Sequence, residues 1–143
     1  MNKYTTPNDL EDYIRNLSLE LADLEILGSS FLIAGYFNLI IAANIDKIDV
    51  LSENNEEKSN EESTLRPTLL AFIGETIILE GLIILSIVAI KRVKQKQLES
   101  SGESLSPYEK LADAYILSVA ANIARVEAFG EIDKTRKGDT NFL

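Results

Sequence analysis

The sequence predicts an all-α protein of the helical-bundle type, a long antiparallel helical hairpin with a third, capped helix packed along it. Two observations carry this. Apolar residues recur at alternating steps of four and three over long distances, the spacing of a helix seam packed against other helices. Prolines are confined to positions 7, 67 and 107, near the expected starts of three helices, where a missing N–H costs nothing.

The first helix is expected over about 7–51. Thr6 is placed as N-cap, Pro7 as first helical residue, and Asp9 and Glu11 lie against the positive end of the helix dipole. Leu10, Ile14, Leu17, Leu21, Leu24, Gly28, Phe31, Gly35, Asn38, Ala42 and Ile45 then form one seam. At about 1.5 Å per residue the helix is on the order of 65 Å long, more than a compact small domain needs. Residues 52–63 contain no apolar side chain and are strongly acidic, so they read as a solvated loop.

The second helix is expected over about 65–98, carrying an apolar run from 69 to 90. It ends in Lys91, Arg92, Lys94 and Lys96, cations suited to a helix C-terminus, before Ser101-Gly102 breaks the chain. The third is expected over about 107–129. Ser106-Pro107-Tyr108-Glu109 has the pattern of a capping box, and Gly130 is placed as the residue just past the helix end. A polar tail over 131–143 completes one helical domain of 143 residues.

Composition limits the chemistry. With 14 basic against 23 acidic residues the net charge is −9, which argues against nucleic acid as a partner. Without Cys or His there is no disulfide, no thiolate or imidazole metal site and no Ser-His-Asp triad. Residues 133–139 lack calcium-loop spacing, and no glycine-rich phosphate cradle occurs. Carboxylates are the remaining catalytic material. Glu75 and Glu80, five residues apart, point about 140° from one another on a helix, which does not suit one site. Each is expected instead to cap a backbone donor, to form a buried ion pair with a Lys or Arg of a neighbouring helix, or to reach the rim of the bundle, with Arg125 as candidate counter-charge. No enzyme, cofactor or metal is expected. Lys91, Arg92, Lys94 and Lys96 are read as a solvated helix end ahead of a contact to anionic lipid or to the acidic loop of another copy.

Residues 26–45 carry no charge, and residues 69–90 carry only Glu75 and Glu80, so either segment is long enough to cross a bilayer, which takes about 20 apolar residues. The cations that follow the second segment fit such a hairpin. Against it stand the two glutamates, the short uncharged run over 81–90, the polar Ser29, Ser30, Asn38 and Asn44, and a seam that continues into the charged part of the first helix. The polar, acidic beginning lacks the layout of a cleavable signal, and a cytoplasmic assembly is favoured over an inserted one.

Gly28 and Gly35 in the first helix, and Gly74 and Gly81 in the second, each repeat at seven residues and predict a close approach of the two helices. All three helices are apolar around most of their circumference, so something else must cover them. The expectation is a non-enzymatic structural subunit that assembles with copies of itself into an oligomer or filament. Gly28, Gly35, Gly74 and Gly81 set helix proximity, and Phe31, Ile77, Ile84 and Ile116 are core or contact residues. The alternatives are a small membrane protein with a two-helix hairpin, of holin-like, immunity-like or regulatory type, with lipid as partner, and a helical adaptor that binds a partner helix.

Overall fold

The computed structural model describes residues 7–53, 66–99, 102 and 104–139. They form three helices, α1 (Pro7–Glu53), α2 (Pro67–Glu99) and α3 (Ser106–Asp139), with no strand among the described residues. The chain is an all-α bundle in which α2 is central. α1 packs along one side of α2 and α3 along another, while α1 and α3 do not pack against each other.

Glycine sets the α1–α2 contact. Gly28 lies opposite Gly81 and Gly35 opposite Gly74, an antiparallel register in which backbone meets backbone. A Cβ on Gly35 would stand 2.7 Å from the Gly74 carbonyl oxygen and 2.5 Å from Ile78 Cγ1; one on Gly81 would stand 2.7 Å from the Gly28 carbonyl oxygen. Real side chains do not tolerate such distances, so only glycine permits this spacing. The same register carries Leu21 to the level of Val88, both buried, at one end and Ala42 to the level of Pro67 at the other. Beyond Ala42, α1 runs past the start of α2. The shared core is made by Leu21, Ala42, Ala71, Ile78, Leu85, Val88 and Ala89.

Helix ends follow the sequence with three differences. α2 starts at Pro67, two residues later than expected, with the Arg66 carbonyl accepting the Leu70 amide at 3.1 Å. α3 starts one residue earlier than the capping box implies. The Leu105 carbonyl accepts the amides of Tyr108 and Glu109 at 3.0 and 3.1 Å, and the Ser106 amide donates to the Ser104 hydroxyl at 3.3 Å. The helix is therefore capped from upstream of Ser106. α3 also continues ten residues past Phe129, to Asp139, so that much of the expected tail is helical. Gly130 does not end the helix; a Cβ there would sit 3.3 Å from Phe72 Cε2, so the glycine makes room for the Phe72 ring. Gly102 does break the chain as expected, at φ +66°, a left-handed conformation suited to glycine. Thr6, most of the acidic loop and the final Asn141-Phe142-Leu143 lie outside the described residues.

The glycine contact yields a signed prediction. Gly35→Ala gains about 1 kcal/mol of helix propensity, but its Cβ meets the Gly74 backbone, and overpacking of this kind costs roughly 1–3 kcal/mol. Net destabilisation is expected, greater still for Gly35→Leu, read as a lower denaturation midpoint by circular dichroism. Unchanged or raised stability would contradict backbone contact at this position.

Candidate functional site

The α2–α3 interface is built around one carboxylate. Glu75 is fully buried and faces α3 from the middle of an apolar helix. On α3, Asn122 and Arg125 are three residues apart and so lie on one face. Asn122 Nδ2 donates to Glu75 Oε2 at 2.7 Å, and an Arg125 guanidinium nitrogen donates to Glu75 Oε1. A carboxylate removed from water without partners would cost several kcal/mol, and these two donors offset that cost. Asn122 Oδ1 is itself buried without a partner among the described residues. The Arg125 side chain is half exposed, so the pair has one dry partner and one wet one.

The backbones of α1 and α3 flank α2 without packing on one another among the described residues, and a groove opens between them. Near Glu75 it has a volume of about 420 Å³, with Leu39 and Ala43 on the α1 wall, Arg125 and Phe129 on the α3 wall, and Ala71 in the floor. Towards the other end of α2 a hollow of about 270 Å³ continues it between Ser29 and Tyr115, over Leu85 and Ala89.

Polar clusters close the bundle at both ends. At one, Arg92 donates from Nε and from a terminal nitrogen to the two Glu25 oxygens at 3.1 and 3.2 Å, a two-pronged pair, and Lys91 meets Glu20 at 3.0 Å. The buried Gln95 donates to Ser18 Oγ at 2.6 Å beside them. At the other, buried Asp133 accepts from Thr68 Oγ1 at 3.1 Å and pairs with Arg66 at 3.0 Å.

The structure brings Glu75 and Arg125 together as the sequence implies. It does not bring Glu80 in: that side chain is exposed on the outer stripe of α2 and makes no ion pair among the described residues. Glu75 and Glu80 thus do not share a site; of the alternatives open to Glu80 the structure shows the exposed one, at the rim, and not a buried pair. At the basic end of α2, Arg92 is held by Glu25 in a partly buried pair, while Lys91 meets Glu20 at the solvent-exposed surface. The four glycines join α1 to α2 within one chain; Phe31, Ile77 and Ile84 are half-buried, and Ile116 lies exposed on the outside of α3. Sequence reasoning missed Asn122, Gln95 and Asp133 as buried polar residues. Asn122 was findable, being one helical turn from Arg125 on the same face, whereas Asp133 lay beyond the expected end of its helix.

Among the described residues no three of His, Cys, Asp or Glu cluster in a way that would hold a metal ion. Each Glu75 oxygen accepts one donor from α3. No family model, no curated protein and no solved structure matches the chain.

The asymmetry of the pair predicts unequal mutational costs. Arg125→Met strands a buried charge and should cost on the order of 2–4 kcal/mol. The double variant Glu75→Met with Arg125→Met removes both charges and should cost less than Arg125→Met alone. Chemical denaturation of the wild type, both singles and the double measures this coupling; additive losses would contradict it.

Proposed function

We propose that the chain is a non-enzymatic structural subunit that works as an assembly of its own copies, and that the apolar faces left open by its three-helix arrangement are where those copies meet. The observation that supports this is the exposure of α1. Only 17% of its most apolar 18-residue window is buried. Leu19, Ile26, Ile33, Tyr36, Phe37 and Ile40 are each at least half exposed and together present on the order of 600 Å² of apolar surface, at the upper limit of the largest patch on an ordinary monomer. Ile83 and Ile87 on α2, with Leu117 and Ile123 on α3, extend the apolar surface around the molecule. Covering such a surface removes apolar area from water and so favours association.

One observation favours a second reading, in which lipid covers the α1–α2 hairpin. Both helices are long and apolar enough to cross a membrane. Moreover, polar side chains in the apolar band turn back on their own helix: Ser30 donates to the Ile26 carbonyl at 2.8 Å, Asn38 to Ala34 at 3.0 Å, Asn44 to Ile40 at 3.0 Å and Thr76 to Phe72 at 2.8 Å. Donors satisfied in this way lower the cost of entering lipid. Exposed Glu80 and Glu127 in the same band weigh against lipid as the sole cover.

The two readings part on sedimentation of the full chain, lysed without detergent and washed in alkaline carbonate. A species of two or more chains without lipid is expected. Material that resists carbonate and dissolves only in detergent would replace this reading with the membrane hairpin, and a stable soluble monomer would contradict both.

A further inference from the structure

We propose that a second copy of the chain fills the groove between α1 and α3, with its own α1 lying beside and parallel to the first about a twofold axis that runs along the helices. This rests on the reading of the chain as an assembled subunit and names the surface and the partner.

The groove is the open fourth corner of a four-helix arrangement. α2 occupies one corner and α1 and α3 the two beside it, and the backbones of α1 and α3 do not come into packing distance among the described residues. A helix of ordinary diameter, about 10 Å, fits such a corner.

α1 carries a second seam that suits this position. Its first seam, with Gly28 and Gly35, is spent on α2. Leu19, Ile26, Ile33 and Ile40 repeat at seven residues on another face and are 58–72% exposed. Ala22, Ser29, Tyr36 and Ala43 fall three residues after each, completing the a/d spacing of a coiled coil with isoleucine at three of the four a sites, a residue that suits the a position of two-stranded coils. Ser29 and Ala43 line the two hollows of the groove, so this seam looks into it.

The α3 wall is complementary. Leu111, Ala114, Ala121, Arg125 and Ile132 fall on one stripe at steps of three, seven, four and seven, all exposed, and the small alanines let an incoming helix approach closely. The contacts Gly35 to Gly74 and Glu75 to Arg125 put Arg125 at the level of Gly35. In a parallel copy, Phe37 on the outer face of α1 comes to that level, where a half-exposed guanidinium that spends one N–H on Glu75 can rest on an aromatic ring.

Symmetry selects the direction. With the axis along the helices, placing the second α1 in the first groove places the first α1 in the second groove in the same operation, and like seam residues meet across the axis. An axis across the helices would superpose the α2 of the second copy on α3. The exposed α1 side chains contribute on the order of 600 Å², and the α3 wall brings the total to the roughly 800 Å² per partner of a stable interface.

Disulfide trapping tests the arrangement, and the chain has no cysteine of its own to interfere. Single variants Ile26→Cys and Ile40→Cys of the full chain are oxidised mildly, with Ile83→Cys on the outer stripe of α2 as reference. Cysteines paired with themselves across a parallel seam fall within the roughly 7 Å Cα separation a disulfide needs, so each seam variant should cross-link to a dimer at least about tenfold faster than Ile83→Cys. Adding Ile33→Lys to Ile40→Cys should reduce cross-linking at least about tenfold by opposing two ammonium groups across the axis, with helix content unchanged by circular dichroism. Cross-linking that needs Ile26→Cys mixed with Ile40→Cys would mean an antiparallel seam and overturn the proposal. A multi-chain species in which neither seam variant cross-links faster than the reference would overturn it while leaving the assembled-subunit reading intact; a monomer would overturn both.

Discussion

The backbone-to-backbone contact of Gly28 with Gly81 and of Gly35 with Gly74 is the constraint on which the other features depend. It fixes the two most apolar helices at a spacing no side chain would permit, and it does so at two points, which sets register as well as distance. From that register follow the shared level of the buried Leu21 and Val88, the Ser18 to Gln95 hydrogen bond and the two-pronged Glu25–Arg92 pair, all on the same antiparallel alignment. Close approach along one narrow stripe has a geometric consequence. A helix held by its glycine face turns its larger side chains outward, so Ile26, Ile33 and Phe37 are exposed because Gly28 and Gly35 are buried.

The second seam, between α2 and α3, is specified by polarity rather than by size. A fully buried Glu75 held by Asn122 and Arg125, with Asp133 held by Thr68 and Arg66 further along, gives α3 few acceptable positions on α2. Sliding α3 by one turn would leave two buried carboxylates without donors, a cost of several kcal/mol each. Such groups add little net stability over a well-packed apolar pair, and their effect here is to fix alignment.

Much of the fold was legible in the sequence because helices announce themselves locally. The four-and-three spacing from Leu10 to Ile45, the prolines at 7, 67 and 107 and the glycine repeats predicted three helices and the α1–α2 contact. Glu75 with Arg125 was legible for a similar reason, since lone charges of opposite sign in apolar helices need one another. What stayed hidden depended on distance in the chain. Gly130 resembles a helix terminator until Phe72 is seen to occupy the space beside it. Lys91 and Arg92 resemble a solvated end until Glu20 and Glu25, some seventy residues earlier, are brought alongside. The outer seam of α1 was masked by the helix being apolar nearly all round, so that periodicity alone could not say which stripe faced α2 and which remained open.

The resulting molecule is a partial bundle, with α2 enclosed on two sides and α1 enclosed on one. The proposed assembly requires that the open face of α1 be covered in the working protein. The most direct measurement is the reactivity of a single cysteine at Ile33, 72% exposed in the isolated chain, toward a water-soluble maleimide. Slow labelling in the native protein that becomes fast on denaturation is the predicted result. Labelling as fast in the native protein as in the denatured one would show that face open to water and contradict the account.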